Sequence, residues 1–147
     1  MSLTYRTLRG AEVSGVLDTV ARLRIEVFRD WPYLYDGDLA YERAYLAGFG
    51  ESAGSVVVVA EDGGRIVGAA TGAPMEDHAG EFGAALPGRD LSRIFYCAES
   101  VLLPDWRGQG AGHAFFDRRE DAARAMGRAW SVFCSVIRPA DHPLRPE

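Results

Sequence analysis

The chain has 147 residues, 48% of them hydrophobic and 25% charged, which is ordinary globular composition with enough apolar material for a core. Its formal charge is −5, and the positive charge is carried entirely by arginine, with no lysine. An acidic balance argues against sequence-independent nucleic-acid binding, which rests on neutralising many phosphates, and no run is apolar for long enough to span a membrane.

Thr4 to Leu8 alternates polar and apolar residues and predicts an opening strand. Val13, Val16, Leu17, Val20, Leu23 and Val27 then follow helical spacing on one stripe, ended by Trp31-Pro32 because a residue before proline is pushed out of helical geometry. A second helix is expected over Leu39 to Phe49. Ser55 to Glu61 and Arg65 to Ala73 read as two strands joined by the hairpin turn Asp62-Gly63-Gly64. Asp77 to Asp90 is rich in Gly and Ala and reads as a loop with one short helix. Arg93 to Leu103 is a strand and Gln109 to Met126 a helix, with Phe115, Ala122 and Met126 on its apolar face and Asp117, Glu120, Arg124 and Arg128 mostly off it. Trp130 to Ile137 is the last strand. The segment after it holds Pro139, Pro143 and Pro146, which favour an extended course over a helix.

No repeat or low-complexity segment interrupts this order, and the opening residues carry no apolar run of the signal-peptide kind, so a cytoplasmic protein is expected. Cys97 and Cys134 lie in apolar strand-like runs without metal spacing and read as buried free thiols. His78, His113 and His142 are scattered, and no metal site is expected.

The most informative stretch is Glu99 to Gly112, where a strand ends, a short proline turn follows, and a glycine-rich loop opens a helix. The first turn of a helix leaves its amides without internal partners and adds the positive end of the helix dipole, which makes an anion site. A Walker loop is excluded because it needs a lysine. A dinucleotide fingerprint fails on spacing, since Gly108, Gly110 and Gly112 run Gly-x-Gly-x-Gly with His113 where the third glycine belongs. The remaining pattern, Arg/Gln-x-x-Gly-x-Gly/Ala, is met by Arg107-Gly108-Gln109-Gly110-Ala111-Gly112.

With the preceding Leu102-Leu103-Pro104-Asp105-Trp106, this stretch resembles the acyl-CoA-binding motif of the GNAT family of N-acetyltransferases. The resemblance implies an α/β (α+β) acetyltransferase fold, a central mixed sheet flanked by helices, and covers nearly the whole chain in the order β-α-α-β-β-β-α-β. One departure is that the family continues with a further helix and two strands. Either the chain is truncated, or a partner such as a second copy in a homodimer completes the sheet, or the fold is pared down. The unprotected edge of the last strand favours truncation, and residues 1–147 read as a single acyl-CoA-binding domain that is C-terminally incomplete. Carried over by position, Ser100, Val101 and Leu102 face the pantetheine and thioester of acetyl-CoA, while Arg107, Gly108, Gln109, Gly110, Ala111, Gly112 and His113 wrap its pyrophosphate.

Acyl transfer from a thioester to an amine needs a base, a polarised carbonyl and a leaving thiol, and a thiol pKa near 8.5 makes the last step easy. A backbone N–H near Val101–Leu102 is expected to polarise the carbonyl. Glu99 interrupts the apolar run Ile94-Phe95-Tyr96-Cys97-Ala98 and is the candidate base, because apolar surroundings raise a carboxylate toward a useful pKa. The competing reading pairs it with an arginine such as Arg93. The family's usual acid, a tyrosine, belongs to the absent helix, leaving Tyr96 as a weak substitute. Phe28, Trp31, Tyr33, Tyr35, Tyr41, Tyr45 and Phe49, with Asp30, Asp36 and Asp38 among them, fall in the region that borders the acceptor cleft and suit a cationic or amphipathic amine, or else supply core, caps and turns. The function so implied is acetyl transfer from acetyl-CoA to a primary amine in a ternary complex. A non-catalytic acyl-CoA sensor or interaction module is the alternative.

Overall fold

The computed structural model describes residues 2–147. A five-stranded sheet runs in the order β1 (Thr4–Arg9), β2 (Val56–Asp62), β3 (Arg65–Pro74), β4 (Ile94–Leu102) and β5 (Trp130–Val132). The first four strands pair antiparallel, and β5 joins β4 in parallel. Helices α1 (Leu17–Val27) and α2 (Leu39–Glu51) cover one face, α4 (Ala111–Ala125) covers the other, and the four-residue α3 (Ala79–Phe82) lies in the connection between β3 and β4. The sheet is therefore mixed and flanked by helices, as expected.

Burial on both faces explains the valine run of β2. Val57 and Val59 pack toward α1 and α2, while Val56, Val58 and Ala60 pack toward α4, so alternation of direction brings no alternation of polarity. The β2–β3 turn uses Gly63 and Gly64 at φ 57° and 84°, the left-handed pair that a two-residue hairpin requires. In β3, a Cβ on Gly72 would stand 2.5 Å from the Phe95 ring, so only glycine lets β4 lie this close.

The first helix and the last strand differ from expectation. The helical stripe from Val13 is split: Gly10–Val16 is a 3-10 stretch and the α-helix proper starts at Leu17. Gly10 sits at φ 55° and donates to the Ser55 carbonyl at 3.0 Å, which ties the chain to β2 before it can wind regularly. Helix α1 also ends at Val27, ahead of Trp31-Pro32, because Phe28 closes the last turn and then accepts from the Tyr35 amide at 2.7 Å.

The last strand, expected through Ile137, stops at Val132. Phe133 leaves the sheet to meet Phe116 edge-on at 5.4 Å, and Arg138 donates to the Pro32 and Tyr33 carbonyls, each at 2.8 Å. This draws the terminal segment across to the connection between α1 and α2. Cys97 is buried, and burial pushes its thiol pKa up, but Cys134 is exposed, contrary to expectation. Among the described residues no helix is long and apolar enough to cross a membrane.

Candidate active site

The site begins where β4 loses its second neighbour. Strand β5 pairs only with Ile94, Phe95 and Tyr96, so β4 from Cys97 onward has an open edge on that side. On its other side β4 is irregular: Ala70 pairs with Ser100 and Gly72 with Cys97, so Ala98 and Glu99 together oppose Thr71. This bulge bends the strand and turns Glu99 out of the regular ladder. Leu103 donates to the Val67 carbonyl at 3.0 Å. Amides alternate sides along a strand, so Val101 also points to β3, while the Ser100 and Leu102 amides face the open edge. Of the expected Val101–Leu102 pair, only Leu102 has its amide on the open edge. Val101 instead places its side chain in the core, 2% exposed.

The glycine loop follows. Gly108 and Gly110 adopt φ 80° and 83°, and Gly110 caps α4. The first intrahelical bond runs from Ala114 to the Gly110 carbonyl at 3.2 Å, so among the described residues the amides of Gly108, Gln109, Gly110, Ala111, Gly112 and His113 have no acceptor. A Cβ on Gly108, Gly110 or Gly112 would meet nothing within 4 Å. The positive φ accounts for the first two glycines. Gly112 has neither positive φ nor a crowded neighbour. Ala111 is buried and anchors the turn, while the rest of the loop is exposed. The Arg107 guanidinium folds back onto the Leu102 carbonyl at 2.9 and 3.1 Å, joining the loop to the open strand.

Glu99 is not in apolar surroundings. Its Oε1 accepts from the Tyr45 hydroxyl at 2.7 Å and is ion-paired with Arg24, and its Oε2 accepts from the Thr71 hydroxyl at 2.6 Å. The partner is Arg24 of α1, not the expected Arg93. Arg24 Nε also donates to Glu42 at 2.5 Å, and the fully buried Glu42 accepts from Tyr35 at 3.0 Å. Burial works against the Arg24 charge, but Glu99 and Glu42 outweigh it and hold its pKa above the usual arginine value. Burial, then the Glu99 charge, pushes the Tyr45 and Tyr96 phenols well up. Tyr35, through desolvation and its bond to Glu42, is pushed up to about 12.

Beside Glu99 opens a cavity of about 320 Å3 lined by Arg24, Phe28, Tyr33, Tyr35, Tyr41, Tyr96, Ala98 and residues 134–136. Four of the aromatic residues expected at an acceptor cleft thus line one space. Tyr45 serves Glu99 instead, Phe49 is buried in the core and Trp31 packs against His142 at 5.3 Å. Asp38 caps α2 by accepting from the Tyr41 amide at 2.9 Å, and none of the three aspartates lines the cavity.

Sequence reasoning missed Arg24, Glu42, Thr71 and Arg119. Arg119, 1% exposed, donates to the carbonyls of Phe115, Thr71 and Glu99 at 3.1–3.2 Å and to the Ser100 hydroxyl at 2.8 Å. Burial lowers its pKa. Its position was signalled only by falling four residues after Phe115, on the buried face of α4.

The profile of the acetyltransferase (GNAT) family matches residues 20–144. Solved structures share the fold at low identity. The aminoglycoside N-acetyltransferase AAC(6')-Iy, in complex with the bisubstrate analogue CoA-S-monomethyl-acetylneamine, is 16% identical, with a TM-score of 0.66 over 96% of this chain and 83% of that one. An aminoglycoside acetyltransferase from an uncultured soil metagenomic sample is 19% identical, with a TM-score of 0.61 over 92% and 81%. The ribosomal-protein-alanine N-acetyltransferase of Brucella melitensis biovar Abortus 2308 is 18% identical, with a TM-score of 0.59 over 90% and 79%. No curated protein sequence matches.

Proposed function

The chain belongs to the acetyltransferase (GNAT) family, and on that premise we propose that it transfers an acetyl group from acetyl-CoA to a primary amine of a small molecule or peptide, by direct attack in a ternary complex. The observation that carries this reading is the row of six unpartnered amides, Gly108 to His113, beside the open edge of β4. A pyrophosphate suits the row because it brings acceptors and negative charge to a helix start. The pantetheine arm suits the strand because the Ser100 and Leu102 amides face the open edge, although Arg107 holds the Leu102 carbonyl.

When bound, acetyl-CoA supplies the acyl group and a thiol that leaves readily. The Leu102 amide donates to the carbonyl oxygen as negative charge grows there, an interaction worth about 3 kcal/mol in other acyl-transfer sites. Glu99 receives the proton from the attacking nitrogen, directly or through a water. Its Oε1 is occupied by Tyr45 and Arg24, but Oε2 accepts only from Thr71 and keeps a free acceptor position. Overall the N–C bond forms, the C–S bond breaks, and the sulfur takes up a proton as free CoA. Tyr96, in the wall of the same cavity and held protonated by burial, is the available donor for that proton.

Calorimetric titration of acetyl-CoA into the chain tests the cofactor site, and release of free thiol with a panel of amines tests transfer. Micromolar binding with amine-dependent thiol release supports the enzyme. Binding without release from any amine leaves a non-catalytic acyl-CoA sensor.

A further inference from the structure

We propose that the acceptor is a small primary monoamine with one flat apolar ring as its body, and not a polycation. The inference rests on the transfer reading above and concerns the cavity beside Glu99. Only two charged side chains line that cavity, Arg24 and Glu99, and they are paired with each other. A ligand with several ammonium groups needs several carboxylates to replace its lost hydration, and this wall offers one, already shared.

What the wall offers instead is aromatic surface. Arg24 lies over the rings of Phe28 at 5.0 Å and Tyr45 at 4.4 Å, so its own charge occupies those two faces. Tyr33, Tyr35 and Tyr41 remain for the ligand. The solvent side is apolar as well: Tyr33, Tyr41 and Val136 line the space and are 38%, 57% and 39% exposed, large hydrophobic groups standing in water. Their exposure is costly unless an apolar body covers them. A space of about 320 Å3 stands at the small end of ligand sites, which run from about 300 to 1,000 Å3. One ring and a short arm fit within it. The ammonium then meets tyrosine faces on its way to Glu99, where it gives up a proton before attack.

The test compares thiol release from acetyl-CoA with phenethylamine and with sisomicin, and follows phenethylamine binding through the tyrosine ring resonances. Expected is a kcat/KM for phenethylamine at least about tenfold higher, with Tyr41→Ala raising its KM several-fold and leaving kcat unchanged. Tyr41 is exposed, so the variant keeps its fold. Preference for sisomicin overturns the inference while leaving acetyl transfer intact. Phenethylamine that shifts the tyrosine resonances while neither amine is acetylated upholds the ligand class and overturns the transfer reading. Phenethylamine that neither binds nor reacts overturns the inference.

Discussion

Thr71 grips Glu99 twice: its hydroxyl donates to Oε2 at 2.6 Å and accepts from the Glu99 amide at 3.1 Å. The bulge creates that demand, because one residue of β3 faces two of β4 and a strand amide is left without its ladder partner. Thr71→Val keeps the shape and removes both bonds, stranding a part-buried amide at a cost of about 1–3 kcal/mol. Thermal unfolding is expected to fall accordingly and transfer to drop with it. Thr71→Ser, which keeps the hydroxyl, is expected to recover most of both.

Glu99→Gln keeps the shape and one acceptor oxygen, so it retains the bond from only one of the Tyr45 and Thr71 hydroxyls, and it loses the negative charge. Acetyl-CoA affinity by calorimetry is expected to stay within about twofold, since the loop amides do not involve this side chain. The rate of amine acetylation is expected to fall roughly 100-fold, the usual effect of removing a positioned base. Equal loss in both measurements would remove Glu99 from the base role.

At Gly112 stability and binding are expected to move in opposite directions. The residue is helical and nothing within 4 Å opposes a side chain. Gly112→Ala should therefore stabilise the fold by up to about 1 kcal/mol. Gly112→Trp should fold normally yet lose calorimetric binding of acetyl-CoA, because its ring occupies the approach to the free amides.

Arg119→Met is expected to destabilise the chain by about 3 kcal/mol, measured by urea unfolding, because buried carbonyls on both sides of the bulge lose a charged donor together. Arg119→Lys should recover little. An ammonium lacks the planar fork that reaches Thr71, Glu99 and Ser100 at once.

Alkaline pH should weaken the fold through its tyrosines. Burial and nearby carboxylates hold the Tyr35, Tyr45 and Tyr96 phenols above their ordinary value of 10.0. In the unfolded chain these groups release protons near that ordinary value, while the native state still holds them. Their contribution is therefore complete below about pH 9 and declines as pH rises past about 10. Urea midpoints at about pH 8 and about pH 11 check this, and Tyr45→Phe should reduce the drop.

The element order, the Gly63-Gly64 hairpin and the amide row from Gly108 to His113 could be read along the chain because each depends on near neighbours: a strand's alternation, a turn's need for positive φ, a helix start's unpaired donors. The same local signals marked Glu99, an acid in an apolar run. Its surroundings could not be read that way. Arg24 and Glu42 look like surface residues of amphipathic helices, and Arg119 looks like one more charge on α4. A buried charge is tolerable only when distant segments bring its partners within hydrogen-bond reach, and those meetings depend on how α1, α2 and α4 are laid across the sheet. The bulge opposite Thr71 and the turn of the chain away from the sheet after Val132 depend likewise on long-range packing. Sequence thus marked the loop and Glu99 as candidates. Tertiary structure alone decided that the acid is held by Arg24, Tyr45 and Thr71, because desolvation and pairing are properties of three-dimensional neighbours.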